Sequence, residues 1–298
     1  MAEREQITTV KNGLLVLAPA KINLCLLVAG RRADGFHEIE TVMAKVNFFD
    51  ELLIEPGQKD GIEVVCKGPC LAPQGKGNLI YQACELLLGT CGRRADVKIT
   101  LTKNVPAGAG LGSASSDAAA TLIGVNTLLK LKVKTKKLSE MAAQLGSDVA
   151  FFLNGPLALC TGKGEKIKKL DKIFNFRCLL ILPSVSVSTK EVYANYKTNP
   201  ALYKRLSAQI KPLLKENRID SVSKMCANML ETTCFTLYEE LAELKNKIES
   251  SGFRPFCLSG SGSAMFCITD NRQTAAKFQS KIEKEIGCKT ILVGNNRW

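Results

Sequence analysis

From Val97 to Thr102 the chain alternates Val97, Ile99 and Leu101 with Lys98, Thr100 and Thr102. A period of two puts the apolar set on one face of a half-buried strand. Further on, Ala118, Leu122, Val125 and Leu129 recur at helical spacing, and Leu128 widens the stripe. Between the two lies the stretch NVPAGAGLGSASSDAAATL, from Asn104 to Leu122, with Gly108, Gly110 and Gly112 followed by Ser113, Ser115 and Ser116. The segment reads as strand, glycine-rich loop, helix. Those flanks exclude a flexible linker. Small residues let backbone approach a ligand, and the first helical turn offers unpaired N–H donors and a positive dipole end. The loop lacks the Gly-Lys-Ser/Thr of a Walker loop. It also fails the dinucleotide fingerprint, because Ser113 stands where the last glycine belongs. Taken alone, it leaves an anion site and a structural turn both open.

The same patterns predict strands in GLLVLA, INLCLLVAG and ELLIEPG, and a helix in NLIYQACELLLG after Asn78. KLSEMAAQLG places Leu138, Met141, Ala142 and Leu145 on one helical face, with Gly146 positioned to stop it. RCLLILP reads as a strand closed by Pro183. From about Ala201 the helices lengthen, as in LYEELAELKNKIESSG. Strand-like RPFCLSGSGSAMFCITD, helical RQTAAKFQSKIEKEIG and a final strand KTILVG follow. A soft boundary falls between Lys166 and Arg177, with no linker and no internal repeat.

With 298 residues, 46% of them hydrophobic, the chain can bury the cores of two ordinary domains. Its start, MAEREQITTV, is charged and has no signal-like apolar region, and the best apolar stretch, from Gly13 to Gly30, is broken by Pro19, Lys21 and Asn23. A soluble chain is expected. The 12 cysteines are scattered without a C-x-x-C pair, and His37 is the sole histidine, so a zinc cluster lacks ligands. Reduced core cysteines and a cytoplasmic location follow. The net charge of +13 admits nucleic acid, anionic membranes and polyphosphates as partners. The densest basic run, KLKVKTKK from Lys130 to Lys137, reads as a solvated cap at the C-terminus of the helix after the loop. Aromatic residues, 6% of the chain, do not interleave with basic stretches, so neither nucleic acid nor membrane is expected as a partner.

Three further blocks bear on chemistry. In APAKINLCLLVAGRRADGFHEIET, Ile22, Leu24, Leu26 and Val28 share one strand face, so Lys21, Asn23 and Cys25 share the other. An edge-strand lysine in water would give the same pattern. LGSDVAFFLNGP sets Asp148 before an apolar run, as a site carboxylate or as a helix-start residue beside Ser147. CLSGSGSAMFC interrupts two strand-like halves with Gly260 and Gly262, which also suits a plain hairpin.

In this order the blocks resemble the GHMP kinase superfamily, named for galactokinase, homoserine kinase, mevalonate kinase and phosphomevalonate kinase. PAGAGLGSASS is similar to its central ATP motif and LSGSGSAMF to its C-terminal motif. PAKINLCLLVAGRRADGFHEIET and GSDVAFFLNGPLALCTGKGE are similar to the opening and aspartate blocks of its isoprenoid-pathway branch. The resemblance runs from about Ala18 into the C-terminal region. It implies an α+β fold of two domains, ribosomal S5-like over residues 1–168 and ferredoxin-like over residues 169–298, with the active site between them. It implies ATP-dependent phosphorylation of a hydroxyl, the 2-hydroxyl, of 4-diphosphocytidyl-2-C-methyl-D-erythritol in the methylerythritol phosphate route to isoprenoid precursors. A mevalonate- or homoserine-type kinase, or a non-catalytic nucleotide-binding regulator on the same fold, are the alternatives.

Carried over by position, Lys21 and Asp148 match the catalytic pair and Asn23 the polar residue beside it. Pro106, Ala107, Gly108, Ala109, Gly110, Leu111, Gly112, Ser113, Ala114, Ser115 and Ser116 match the ATP loop, and Asn78 and Lys103 fall on the adenine side. Phe36 and Tyr193 fall where two aromatics sandwich the cytosine, with His37 and Thr189 beside them. Phe36 stands where tyrosine is common, which keeps stacking and loses a hydroxyl. The implied chemistry uses Asp148 as the base on the acceptor hydroxyl, with Lys21 favouring the developing alkoxide. ATP and magnesium are implied, with Ser115 or Ser116 as candidate magnesium ligands and no assignment between them. The implied partner is a small cytidyl-diphosphate polyol, and the implied assembly a monomer or weak homodimer.

Overall fold

The computed structural model describes residues 5–171, 175–225, 227–250, 252, 255–269 and 271–298. Residues 1–4 and 172–174, Cys226, Ser251, Phe253, Arg254 and Asp270, which the sequence reading included, lie outside them. The strands are β1 (Ile7–Val10), β2 (Gly13–Arg31), β3 (His37–Pro56), β4 (Ile62–Lys67), β5 (Val97–Thr102), β6 (Leu157–Gly162), β7 (Lys166–Lys169), β8 (Arg177–Leu182), β9 (Ala227–Asn228), β10 (Cys257–Leu258), β11 (Met265–Thr269) and β12 (Lys289–Gly294). The helices are α1 (Leu79–Thr90), α2 (Ser113–Leu128), α3 (Thr135–Leu145), α4 (Val149–Phe152), α5 (Thr189–Asn195), α6 (Pro200–Lys215), α7 (Ile219–Lys224), α8 (Glu231–Leu237), α9 (Glu239–Ser250) and α10 (Arg272–Lys281).

Two sheets carry the molecule. The larger runs β1-β2-β3-β5-β4, with β6 and β7 continuing from β3 and β9 added beside β2. β3 is long enough to serve two neighbours: Ile39 to Ala44 pairs with β6, and Glu51 to Pro56 pairs with β5. GLLVLA and INLCLLVAG are one strand. Pro19, Lys21 and Asn23 break the apolar run without breaking β2, since the residues flanking them on both sides are buried between two cores. Bulges at Pro19/Ala20 and Asn23/Cys25 bracket Lys21 and Asn23, and bulges re-aim side chains. One face of this sheet packs on α1 to α4 through Val16, Ile54, Leu87, Leu122 and Phe151, among others.

The smaller sheet has the order β10-β11-β8-β12, all antiparallel, with helices between β8 and β10 and between β11 and β12. This is the ferredoxin-like strand order that the resemblance implied. Its core, around Leu180, Leu258 and Phe266, is continuous with Ile22, Leu24 and Val28 of β2. The halves also exchange backbone: β9 runs parallel to β2, and Val46 bridges to Asn295.

One expectation is corrected. The run from Lys130 to Lys137 caps a helix C-terminus only at its start, where Lys130 follows the C-cap Leu129 and its N–H donates to Thr127 O at 3.2 Å. Helix α2 ends at Leu128, Lys130 and Lys132 sit in the left-handed region at φ 50° and 58°, and Lys136 and Lys137 fall in the first turn of α3. There they meet the positive dipole end, and Lys137 is offset by Glu140 at 3.1 Å. All 11 described cysteines are free and seven are buried, as small core residues. Among the described residues no helix is long and apolar enough to cross a membrane.

Candidate active site

A cavity of about 870 Å³ opens between the two sheets. Its walls are β2 and β3, the glycine-rich loop, the turn before α4, the start of α5 and the loop joining β10 to β11. At its centre is Lys21. The strand is interior here, and the Lys21 side chain is 4% exposed, so the edge-strand reading fails. Its Nζ donates to Asn23 Oδ1 at 2.6 Å and lies 3.7 Å from Asp148 Oδ2. Burial pulls the Lys21 ammonium below its ordinary pKa, and Asp148 pulls it back up.

Asn23 is fixed from behind. The Thr41 hydroxyl donates to the Cys25 carbonyl at 2.7 Å, so it must accept from Asn23 Nδ2 at 2.8 Å, which turns Asn23 Oδ1 toward Lys21. Asp148 occupies the N-cap position of α4 but makes no side-chain cap bond. Its carboxylate, 34% exposed, faces Lys21 and the cavity instead. Capping is therefore not what holds it there.

The loop is held by contacts that only glycine permits. At Gly110 φ is 72°, and a Cβ would overlap the Ser259 carbonyl oxygen. At Gly112 φ is 67°, and a Cβ would come within 2.9 Å of the Phe152 ring. Gly260 and Gly262 do belong to a hairpin, as the plain reading had it, but the hairpin also forms the facing wall. Ser259 Oγ donates to Gly110 O at 2.9 Å, and the Ala264 N–H donates to Ala109 O at 3.1 Å. Strand β2 joins the same loop, the Lys21 N–H donating to Leu111 O at 2.9 Å.

Both ends of the loop are tied to Asp50, which is fully buried on β3. Its Oδ1 accepts from the N–H groups of Asn104 at 2.6 Å and Val105 at 2.8 Å, before the loop. Its Oδ2 accepts from Ser113 Oγ at 3.3 Å, at the first residue of α2. Lys103 completes the clamp, with Nζ 2.5 Å from both Asp50 Oδ2 and Asp117 Oδ2. Burial works to lower the Lys103 pKa, but the two carboxylates outweigh it and hold the group above its ordinary value. Burial pushes the Asp117 carboxyl up against the pull of Lys103.

Two family models match the sequence, the GHMP kinases N terminal domain over residues 78–156 and the GHMP kinases C terminal domain over residues 210–287. A 4-diphosphocytidyl-2-C-methyl-D-erythritol kinase of Pelotomaculum thermopropionicum is 38% identical over 93% of this chain and 98% of its own length. The chain belongs to the GHMP kinase family. A crystal structure of 4-(cytidine 5'-diphospho)-2C-methyl-D-erythritol kinase superposes with a TM-score of 0.77 at 31% identity, covering 95% of this chain and 100% of the other. Homoserine kinase from Cytophaga hutchinsonii shares the fold, with a TM-score of 0.76 at 23% identity, over 99% and 98% of the two chains.

In this GHMP kinase the cavity brings together Lys21, Asn23, Phe36, His37, Asp148, Thr189, Tyr193 and the loop from Pro106 to Ser115. Asn78, Lys103 and Ser116 are not among its lining residues. Asn78 caps α1, accepting from the Ile80 N–H at 2.9 Å. Lys103 is held by its two carboxylates, and Ser116 is buried on α2. The far end of the cavity is aromatic. His37 lies 5.2 Å from Tyr193 and 5.8 Å from Tyr196 between ring centroids. Burial, with Arg31 adding to it, lowers the His37 pKa and favours the neutral imidazole. Lys163 Nζ sits 4.7 Å over the Phe36 ring, and Thr189 Oγ1 is 2.8 Å from Ser261 Oγ.

Sequence reasoning missed Thr41, Asp50 and Lys163. Lys163 follows Gly162 within the GSDVAFFLNGPLALCTGKGE block, but nothing local ties it to Phe36.

Proposed function

We propose that this chain transfers the terminal phosphoryl group of ATP to a hydroxyl, the 2-hydroxyl, of 4-diphosphocytidyl-2-C-methyl-D-erythritol. One observation carries the reading: the Lys21–Asp148 pair stands in a single cavity between a glycine-rich loop and an aromatic pocket. A GHMP kinase takes ATP as co-substrate. Loop N–H groups at the start of α2 suit its phosphates, because donors and dipole both favour negative charge there. The cytosine fits between Phe36 and Tyr193, where stacking accepts a planar base, while neutral His37 and Thr189 offer polar contacts at its edge.

Asp148 accepts the proton of the acceptor hydroxyl as that oxygen attacks phosphorus, and Lys21 offsets the charge growing on the oxygen. Asn23 keeps the ammonium aimed. The site also fits magnesium, since Asp148 and Ser115 present hard oxygen donors to the cavity. When bound, the ion neutralises phosphate charge. Lys103 acts on this reading by fixing the loop rather than by touching the nucleotide.

The test is an ADP-release assay with 4-diphosphocytidyl-2-C-methyl-D-erythritol, mevalonate and homoserine offered separately. Turnover confined to the cytidyl acceptor is expected. Comparable turnover on either other alcohol, or none on any, overturns the reading.

A further inference from the structure

A second cleft, of about 990 Å³, lies where Asn47 to Glu51 of β3 meets β12 and the tail that follows it. It shares no lining residue with the cavity around Lys21. Arg177, Arg272, Lys289 and Arg297 line it, against one carboxylate, Glu51. Arg177, Arg272 and Lys289 have no ion-pair partner among the described residues, whereas Lys137 and Lys245 elsewhere on the surface do. Cations gathered around a concave, low-dielectric wall reinforce one another's potential. Arg297 donates to Asn175 Oδ1 at 3.4 Å, which keeps its guanidinium at the rim.

Two buried amides point the same way. Asn295 Oδ1 accepts from the Phe176 N–H at 3.2 Å, and Asn296 Oδ1 accepts from the Arg297 N–H at 2.7 Å, so both amide orientations are set. Among the described residues neither Nδ2 atom has an acceptor, although Asn296 is only 6% exposed. Buried donors without partners are uncommon, and both belong to residues that line the cleft. The cleft also carries a flat apolar element. The Phe49 and Trp298 rings stack with centroids 5.7 Å apart and planes 19° from parallel.

Cations answer phosphates, and a stacked aromatic pair answers a planar ring. We propose that this cleft binds a nucleotide, with its phosphates among Arg177, Arg272 and Lys289 and its base against the Phe49–Trp298 pair. The site is independent of the reading given to the cavity around Lys21.

The chain contains one tryptophan, and it is Trp298. Its fluorescence therefore reports on this cleft. Titrating ADP into the full chain should change that emission saturably. The exposed pair Arg177→Ala with Arg272→Ala should shift the midpoint at least about 10-fold, the scale of one or two charge-assisted contacts. Turnover by the same double variant should stay within about twofold, with an unchanged circular dichroism spectrum. Lys289→Ala alone should shift the midpoint less in the same direction. Inorganic pyrophosphate should bind more weakly than ADP, because it brings no ring. No saturable change with ADP, or the same midpoint in the double variant, would overturn the site. Pyrophosphate binding as tightly as ADP would overturn the nucleotide assignment.

Discussion

The loop end and the aromatic end of the active-site cavity are built on opposite principles. At the loop end the groups that set the geometry are buried and held more than once: Asp50 accepts from four donors, and Asn23 is locked through Thr41. At the aromatic end Phe36 is 52% exposed, at the tip of a turn closed by the Arg32 N–H to Phe36 O at 2.7 Å. The difference follows from what each end must do. A reacting oxygen misplaced by about 1 Å can cost roughly 100-fold in rate, so positioning groups are overdetermined. A recognition surface gains its energy when a ligand covers exposed ring, so leaving that ring uncovered is no disadvantage.

The contrast breaks most sharply at Asp148. Asp148→Asn should lower the transfer rate by about 10²–10⁴-fold while both ligands still bind and the thermal midpoint stays put. Lys21→Met should also depress turnover, and the double variant should lose less than the product of the two, because the pair acts as a unit. Near-normal rates in folded Asp148→Asn protein would dismiss it as the base. Next comes Asp50→Ala, which strips the clamp from both loop ends. We expect a stability loss of about 3–5 kcal/mol in urea unfolding, as for other broken buried charge networks, with a raised KM for ATP. A loss below about 1 kcal/mol would mean that the loop holds itself.

The aromatic end should answer differently. Tyr193→Ala should weaken binding of the cytidyl substrate by about 1–3 kcal/mol and leave ATP affinity unchanged, measured by isothermal titration. Phe36→Ala should behave likewise, with folding stability unchanged within about 0.5 kcal/mol. Equal losses for both ligands would put Tyr193 in the wrong pocket.

A further effect concerns Lys45, the cross-strand partner of Lys21. Its Nζ donates to Phe152 O at 2.9 Å, holding the end of α4. Burial, with Lys169 adding repulsion, pulls its pKa from 10.5 to about 7. The folded value lies below the unfolded one, so between them the unfolded chain binds more protons. The penalty is full below pH 7 and is relieved as pH rises toward 10.5, so stability should increase with pH across that window. Lys45→Met should flatten the slope. Parallel stability curves for the two proteins between pH 7.5 and 9.5, roughly the middle of that window, would rule this out.

What could be read in advance was local. Lys21 and Asn23 share a strand face two residues apart, and the α1, α3 and β12 segments each announce themselves within a dozen residues, whereas the loop and Asp148 took on roles only through the family resemblance. What could not be read depends on distance along the chain. Lys103 finds Asp50 across 53 positions, and nothing near either residue marks the pair. Thr41 matters only because β3 lies beside β2. The lysine run after α2 misled because the turn to α3 comes earlier than the charges suggest. A strand as short as β9 carries no periodicity at all.

That short strand also governs the order in which the molecule can be made. β2 receives Ala227 and Asn228 as neighbours of Cys25 and Leu26, and the Met229 N–H closes on Leu26 O at 2.9 Å. Asn228 then reaches the opposite wall, donating to Leu258 O at 2.7 Å and Gly260 O at 2.8 Å. A nascent chain therefore carries an unfinished edge on its second strand until more than two thirds of the polypeptide has left the ribosome. Contacts of such long sequence separation form late and slow folding. The two halves made as separate polypeptides would each expose a hydrophobic seam, and the pocket would exist in neither.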